Sequence, residues 1–341
     1  MSRYSCAYLS TRLSLLASRL ISFEQLSSLI DLELDQILSK VYEWTGHRYQ
    51  LDQRNARRIE NQLAKTALDD FQILIRPFSG RERRFFYFAI RWFELVNVKV
   101  LIRGKFTSTP KAIIQQQLVD LGAFADLPLE KLLETEDPYE MLRLLESTAY
   151  AGIVRQARNV FDEQGNDLFL LDATIDKSFF IDLKKHLQAL DAQDAETAGK
   201  VMGALLDRFN LLWLLRYRFS YGLSPAKSYF LLTSTGARLH SADLMRMAKI
   251  DSIEQLVEAL PQKLQQQLQG LTVISDIERV IEYSTLAAAA KGLSVNGSLV
   301  SRAFSYILLR EAEMRFLQAL IKGKQLGFDQ ALIRQAVIGV R

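Results

Sequence analysis

One long apolar helix recurs along this sequence. Its first copy, residues 85–106, is apolar on nearly every face but carries Arg91, Glu94, Asn97 and Lys99. Each full charge would cost roughly 2.5–3.5 kcal/mol at the centre of a bilayer, which argues against a membrane span. A helix that is apolar all round in a soluble protein lies in the centre of a large fold. We therefore predict a buried core helix.

The second copy of this helix spans residues 206–219. Asp207 follows Glu94 by 113 positions, and Asn210 follows Asn97 by the same distance. Self-similarity at a fixed period indicates a repeated structural unit, and 113 residues is too long for one repeat of a solenoid. The sequence therefore predicts one small helical domain that is used more than once.

The third copy spans residues 310–324. Its Glu313 follows Glu94 by 219 positions, whereas Phe316 stands where the first two copies have asparagine. All six prolines fall at boundaries between predicted helices, and no stretch alternates apolar and polar residues as a strand does. We predict an all-α fold of three similar lobes in a pseudo-threefold arrangement, with lobes at residues 1–109, 110–223 and 224–341.

Composition limits the function classes. The 341 residues include 49% hydrophobic and 24% charged residues, an ordinary globular balance, and the net charge of +4 is mild for a dedicated nucleic-acid binder. The single cysteine, Cys6, excludes an internal disulfide and fits a reducing compartment. No apolar run reaches the roughly 18 uncharged residues of a membrane helix. We expect a cytosolic protein, or one held at a membrane through a partner.

Catalytic motifs are few, and each has a simpler structural interpretation. Ser224-Pro225-Ala226-Lys227 matches Ser-x-x-Lys without its companion motifs, so a helix N-cap followed by proline is favoured. Asp69-Asp70 is interpreted as a solvated helix face and Asp137 as an N-cap. The three histidines, His47, His186 and His240, have no second metal ligand at helical spacing. No phosphate-binding loop is present, so we predict no catalytic residue, metal or cofactor.

The acids and asparagines of the core helices must find partners, because unpaired buried polar groups are costly. Their equivalent positions allow the three helices to meet around a pseudo-threefold axis. A catalytic carboxylate trio is the alternative, but no histidine, serine or lysine is arrayed around it. The predicted structural polar core comprises Glu94, Asn97, Asp207, Asn210 and Glu313.

Each core helix ends in a basic doublet. Cations in the last turn favour the negative end of the helix dipole, by about 0.3–1 kcal/mol. The same charges suit phosphate contacts in nucleic acids, but we favour helix capping together with a contact to a protein. The candidate partner interface comprises Arg103, Lys105, Arg216, Arg218, Lys322 and Lys324.

These motifs together resemble one known family. They are Phe93-Glu94-x-x-Asn97-x-Lys99-x-Leu101-x-Arg103-Gly104-Lys105, Asp207-x-x-Asn210 ending in Arg216-x-Arg218, Gly222-Leu223-Ser224, and Arg310-Glu311-Ala312-Glu313 to Lys322-Gly323-Lys324. The chain resembles, over essentially its whole length, the central-stalk C subunit of prokaryotic A/V-type rotary ATPases, a relative of the d subunit of the eukaryotic V-ATPase.

The resemblance implies a funnel of three helical lobes on the cytoplasmic face of the membrane. Such a protein sits on the membrane rotor ring, receives the central stalk and transmits torque without catalysis. Its partners are then the other stalk proteins and the ring, its membrane contact runs only through the ring, and it binds no nucleic acid. Two other classes stay open: a helical scaffold that binds nucleic acid or another protein through its basic helix ends, and a hydrolase with a carboxylate cluster.

Overall fold

The predicted all-helical fold is confirmed. The computed structural model of the protein describes residues 3–50, 57–163, 167–233, 236–294 and 297–337, and these ranges contain helices and no β-strand. In chain order the α-helices are α1 (Arg3–Ala17), α2 (Phe23–Leu29), α3 (Leu34–Thr45), α4 (Arg57–Ile75), α5 (Gly80–Phe106), α6 (Lys111–Gln117), α7 (Leu129–Glu134), α8 (Pro138–Leu145), α9 (Ala151–Glu163), α10 (Leu168–Gln188), α11 (Ala192–Leu215), α12 (Pro225–Phe230), α13 (Ser241–Met247), α14 (Ile253–Glu258), α15 (Gln262–Leu268), α16 (Ile274–Gly292), α17 (Leu299–Gln325) and α18 (Gln330–Val337).

Several helix starts lie where the sequence predicts them. The Ser22 side chain accepts a hydrogen bond from the Gln25 amide, and the Gln25 side chain accepts one from the Ser22 amide, which is a complete capping box. Asp137 and Ser224 are N-caps, and each is followed by proline in the first helical turn. The Ser-x-x-Lys match at Ser224 is therefore a helix start.

Two helices differ from what the sequence pattern predicts, one where it ends and the other in its continuity. The sequence predicts a helix over residues 111–121, closed by Gly122, but α6 ends at Gln117, because tertiary contacts of Val119 replace its helical bonds. The sequence also predicts one helix over residues 137–156, but the structure breaks it between α8 and α9. There the Ser147 hydroxyl donates to the Leu144 carbonyl at 2.7 Å and the Thr148 hydroxyl to the Leu145 carbonyl at 2.6 Å. Such local side-chain bonds compete with helix continuation.

The three core helices are α5, α11 and α17. They are longer than the sequence copies suggest: α11 and α17 begin upstream with further buried residues, whereas the additional first turn of α5 is exposed or half-buried. Helix α11 continues as a π-helical turn over Arg216–Ser220. Helix α17 is capped by Ser298, upstream of the third copy, and the Ser298 side chain accepts from the Ser301 amide at 3.1 Å.

The chain divides into two compact units. One unit comprises residues 80–189, where α5 contacts α6, α8 and α10, and α10 packs along α9. Its aromatic core stacks Phe88 on Phe179 with ring centroids 5.3 Å apart. A core helix that is buried over so much of its length explains why its sequence lacks an obvious polar face.

The other unit combines residues 1–79 with residues 190–341. Within it α11 contacts α16 and α17, while α17 also contacts α1, α3, α4 and α18. Both ends of the chain therefore pack on the same core helix. The division into three lobes and their funnel arrangement stay predictions.

Candidate functional site

Glu94 is a buried acid that holds the loop before α7. Its Oε1 accepts the Asp126 amide at 2.8 Å and the Leu127 amide at 2.9 Å, and its Oε2 accepts the hydroxyl of Tyr150. Only 1% of Glu94 is exposed. Burial, followed by the charge of Glu94, raises the pKa of Tyr150, so its hydroxyl remains a donor. All these contacts are structural.

Asn97 lies one turn further along α5 and fixes the same loop at an earlier point. Its Nδ2 donates to the Val119 carbonyl at 2.8 Å, and its Oδ1 accepts the Val119 amide at 2.8 Å. Both amide atoms of this fully buried side chain are used. Asn97 thus completes the backbone bonding of a residue that no helix includes.

Asp207 makes the corresponding contact in the other unit. Its Oδ2 accepts the Arg238 amide at 2.9 Å and its Oδ1 accepts the Leu239 amide at 3.0 Å. Burial raises the pKa of Asp207, and the backbone amides act in the opposite direction. Asn210 lies beside it, and its Oδ1 accepts both the amide and the hydroxyl of Thr233, at 2.9 and 2.8 Å.

Glu313 binds the backbone before α2, in the amino-terminal part of the chain. Its Oε2 accepts the Ile21 amide at 2.8 Å across 292 positions of sequence, and its Oε1 accepts from Arg310 Nη1 at 2.5 Å. Burial raises the pKa of Glu313, while Arg310 favours its charged form. Because the neighbouring side chains raise the pKa of Arg310 despite its burial, the guanidinium stays charged.

Arg310 also corrects the interpretation of Asp69-Asp70. Asp70 is 5% exposed, and its Oδ2 accepts from Arg310 Nε at 3.2 Å and from the Tyr306 hydroxyl at 2.9 Å. The prediction of a solvated face was wrong for Asp70, because its partner lies 240 positions away in the sequence. His47 Nε2 lies 3.8 Å from the same carboxylate, and burial lowers the pKa of this histidine.

The third copy differs from the first two where it replaces asparagine by phenylalanine. In those copies the amide side chain bonds Val119 or Thr233, neither of which lies in a helix. Asn97 and Asn210 are fully buried, whereas Phe316 is only partly buried. Backbone polar groups need a protein partner where water cannot reach them, so the more open position of Phe316 does not require an amide side chain.

The acids of the core helices therefore hold separate loops. Within the unit formed by both chain ends, Asp207 binds residues 238 and 239 while Glu313 binds residue 21. All five side chains of the predicted polar core are buried, at 5% exposure or less. The sequence pattern did not assign Tyr150, Asp70 or Tyr306 to the polar core, since none of them recurs at the period of the core helix.

The first cation of each basic doublet, which we call the outer cation, forms an ion pair within the protein. Arg103 pairs with Asp172 at 2.5 Å, Arg216 with Glu278 at 2.7 Å, and Lys322 with Glu60 at 3.5 Å. The three basic side chains nevertheless stay 65%, 45% and 61% exposed. They combine an internal contact with access to solvent.

The second cation of each doublet, which we call the inner cation, has fewer atoms available to a partner protein. Lys105 Nζ donates to the Leu133 carbonyl at 2.8 Å and to the Thr135 carbonyl. Arg218 donates to the Leu223 carbonyl at 2.7 Å and to Asp251 at 2.6 Å. Lys324 is half-buried. Lys105 and Arg218 thus bind backbone carbonyls of their own units.

Within the described ranges, no three His, Cys, Asp or Glu side chains lie close enough together to bind a metal ion. Among the helices that the structure describes, none has the length and apolar character needed to cross a bilayer.

Comparisons with known proteins agree with the resemblance in the sequence. The C subunit of the A-type ATP synthase of Methanosarcina mazei is 22% identical over 97% of this chain and 92% of its own length. The C subunit from Methanocaldococcus jannaschii is 22% identical over 98% and 86%, and that from Halorubrum lacusprofundi 25% over 73% and 72%. The family model described as ATP synthase (C/AC39) subunit matches residues 9–336. This chain belongs to the ATP synthase (C/AC39) subunit family.

Proposed function

We propose that this protein is a non-catalytic rotor adaptor of an A/V-type ATPase, which couples the central stalk to the membrane-embedded ring for ATP-linked ion transport. Membership of the family over nearly the whole chain is the observation that carries the proposal. The relatives named as the C subunit of A-type ATP synthase match over 97–98% of this chain and 86–92% of their own length, which supports assigning their role to this chain.

The buried polar groups support an adaptor rather than an enzyme. Glu94, Asp207 and Glu313 each accept backbone amides, which fixes loops against long helices. A carboxylate whose oxygens are occupied by buried amides is a poor general base, since a catalytic group must reach a substrate proton. Such contacts stiffen a body that has to transmit torque.

For the partner surface, we propose the exposed outer cations Arg103, Arg216 and Lys322, with the inner cations Lys105, Arg218 and Lys324 supporting the helix ends behind them. The proposed assembly is a three-lobed funnel on the cytoplasmic face of the membrane, in contact with it only through the ring. Rim charges of this kind mainly raise the association rate and make it depend on salt.

The function is tested by assembling the complete ATPase with and without this protein. We expect the complex that lacks it to hydrolyse ATP but to pump no ions into vesicles, with pumping restored by the added protein. Loss of hydrolysis in an otherwise intact catalytic sector, or normal pumping without this protein, would refute the adaptor role.

The partner surface is tested by a triple reversal, Arg103→Glu, Arg216→Glu and Lys322→Glu. The expected result is slower association with the isolated central stalk at low salt, with little change near 0.5 M salt, where the Debye length is only about 4–5 Å. Reversal of the exposed Lys40, Lys185 and Lys200 serves as a charge-matched control, since each of these lysines lies on a helix surface in a local ion pair. Equal association rates for the triple reversal and the control would contradict the proposed surface.

A further inference from the structure

Each core-helix acid binds the backbone at an equivalent place. Glu94 accepts the amide of Leu127, Asp207 that of Leu239 and Glu313 that of Ile21. Each of these three amides lies two residues before a short helix, namely α7, α13 and α2. In the first two cases the bound loop follows its core helix in the chain. In the third case the bound loop lies near the amino terminus, and Ile21 precedes Glu313 by 292 positions.

The outer cations repeat this pattern independently. Arg103 pairs with the fifth residue of α10 and Arg216 with the fifth residue of α16. Lys322 pairs with Glu60, the fourth residue of α4. Helices α10 and α16 lie downstream of their core helices, whereas α4 lies in the amino-terminal part of the chain. The long helix that completes the third set is therefore supplied by the amino terminus.

A third correspondence is the close packing of a core-helix glycine against the short helix that follows it. A Cβ on Gly104 would lie 2.6 Å from Ile114 of α6, and a Cβ on Gly323 would lie 2.8 Å from Ile333 of α18. Ile114 and Ile333 each follow their glycine by ten positions. Helix α18 is thus the counterpart of α6, which opens the set of short helices that follow α5.

We propose that the structural repeat starts at the core helix and that the third repeat is discontinuous. Its first part is α17 with α18, at the carboxyl end of the chain, and its second part is α2, α3 and α4, at the amino end. The face of α17 that carries Arg310 and Glu313 is then an interaction surface whose partner is this amino-terminal segment. The lobes become residues 80–189, residues 190–294, and residues 297–337 with 23–75, and α1 packs on the third of them as an addition to the repeat.

The arrangement has a mechanical consequence. Arg310 joins α17 to α4 through Asp70 and Thr66, at 3.2 and 3.1 Å, and Arg334 of α18 pairs with Asp31, between α2 and α3, at 3.0 Å. Both ends of the chain are thereby fixed in one cooperative unit, and loosening either end releases the other. This inference concerns the folding unit and does not depend on the proposed function.

Hydrogen exchange of the full-length protein tests the proposal. In Glu313→Ala the exchange rates in peptides covering residues 23–45 and 57–75 should rise about ten-fold or more, together with those of residues 299–325, because a buried charge-assisted bond is lost. Exchange in residues 111–188 should not change. In the matched variant Glu94→Ala the response should be confined to residues 80–189.

Two results would overturn the discontinuous repeat. One is unchanged exchange of residues 23–75 in Glu313→Ala. The other is a response of residues 57–75 to Glu94→Ala instead of Glu313→Ala, as a contiguous lobe over residues 1–109 requires. If Glu313→Ala does not fold, Glu313→Gln retains an oxygen for the Ile21 amide and should show the same pattern with a smaller rise. The absence of that pattern in Glu313→Gln would equally refute the proposal.

Discussion

Asp207 and Glu94 occupy equivalent positions but use their oxygens differently, so removing their charge should have unequal effects. Asp207 accepts one backbone amide on each oxygen, at 2.9 and 3.0 Å. Glu94 accepts both backbone amides on Oε1 and only the Tyr150 hydroxyl on Oε2. We predict that Asp207→Asn destabilises its unit much more than Glu94→Gln destabilises the other.

The magnitude follows from the donors that are left unpaired. In either orientation the new amide group of Asp207→Asn points its NH₂ at a backbone N–H. One bond to a charged group is lost, worth about 1.5–3 kcal/mol, and a buried donor stays unsatisfied at about 1–3 kcal/mol. Relief from burying a carboxylate offsets part of this cost, since burial raises the pKa of Asp207. We expect a net loss of about 2–4 kcal/mol.

In Glu94→Gln no backbone donor has to be orphaned, and the Tyr150 hydroxyl is the one donor that loses its acceptor. The remaining oxygen can keep both backbone amides, and the Tyr150 hydroxyl can rotate to accept from the new NH₂ group. The bonds change from charge-assisted to neutral and the Tyr150 proton loses its acceptor, which we expect to cost about 1–2 kcal/mol in total. The predicted difference between the two variants is therefore roughly a factor of ten or more in the unfolding equilibrium.

Urea unfolding monitored by circular dichroism gives the free energies, and hydrogen exchange of residues 236–247 and 122–134 assigns the loss to the right unit. Glu196→Gln is the control, because it removes a 71% exposed charge from the same helix as Asp207 and should change stability by less than about 0.5 kcal/mol. If Glu94→Gln proves as destabilising as Asp207→Asn, or more so, the oxygen-by-oxygen reasoning is refuted.

Three further predictions concern other buried contacts. Arg310→Met should lower the free energy of unfolding by about 3–5 kcal/mol, because two buried carboxylates lose their partner, and denaturant titration measures this. Gly104→Ala should destabilise by about 1–3 kcal/mol through overpacking against Ile114, and adding Ile114→Val should recover part of that loss in a thermal melt. Burial disfavours the charged form of Glu282, but the positive charges of Arg315 and Arg208 outweigh this effect and lower the pKa of Glu282. An acid with a lowered pKa in the folded state stabilises the fold at pH values above its unfolded pKa of about 4.3, and this stabilisation is lost as the pH falls through the folded pKa. The free energy of unfolding should therefore decrease less steeply with acid in Glu282→Gln than in the parent, which denaturant titrations at several pH values measure.

The local features of this fold could largely be predicted from the sequence. Capping residues such as Ser22 and Ser298 act on amides within three positions, and apolar periodicity reports the burial of a helix without naming its neighbour. The all-helical class, the three core helices and the burial of their polar side chains followed from such short-range signals. The recurrence of acid and basic positions also indicated the family.

The partners of these residues were decided only by the tertiary structure. The break after α8 depends on hydroxyls that compete with helical bonds, and α6 ends early because Asn97 binds Val119 from another helix. Asp70 was interpreted as a surface residue because nothing near it in sequence could neutralise a buried carboxylate. Its guanidinium partner, Arg310, comes from the opposite end of the chain. A sequence pattern records spacing along one chain, whereas pairing between distant segments depends on which surfaces the completed fold brings into contact.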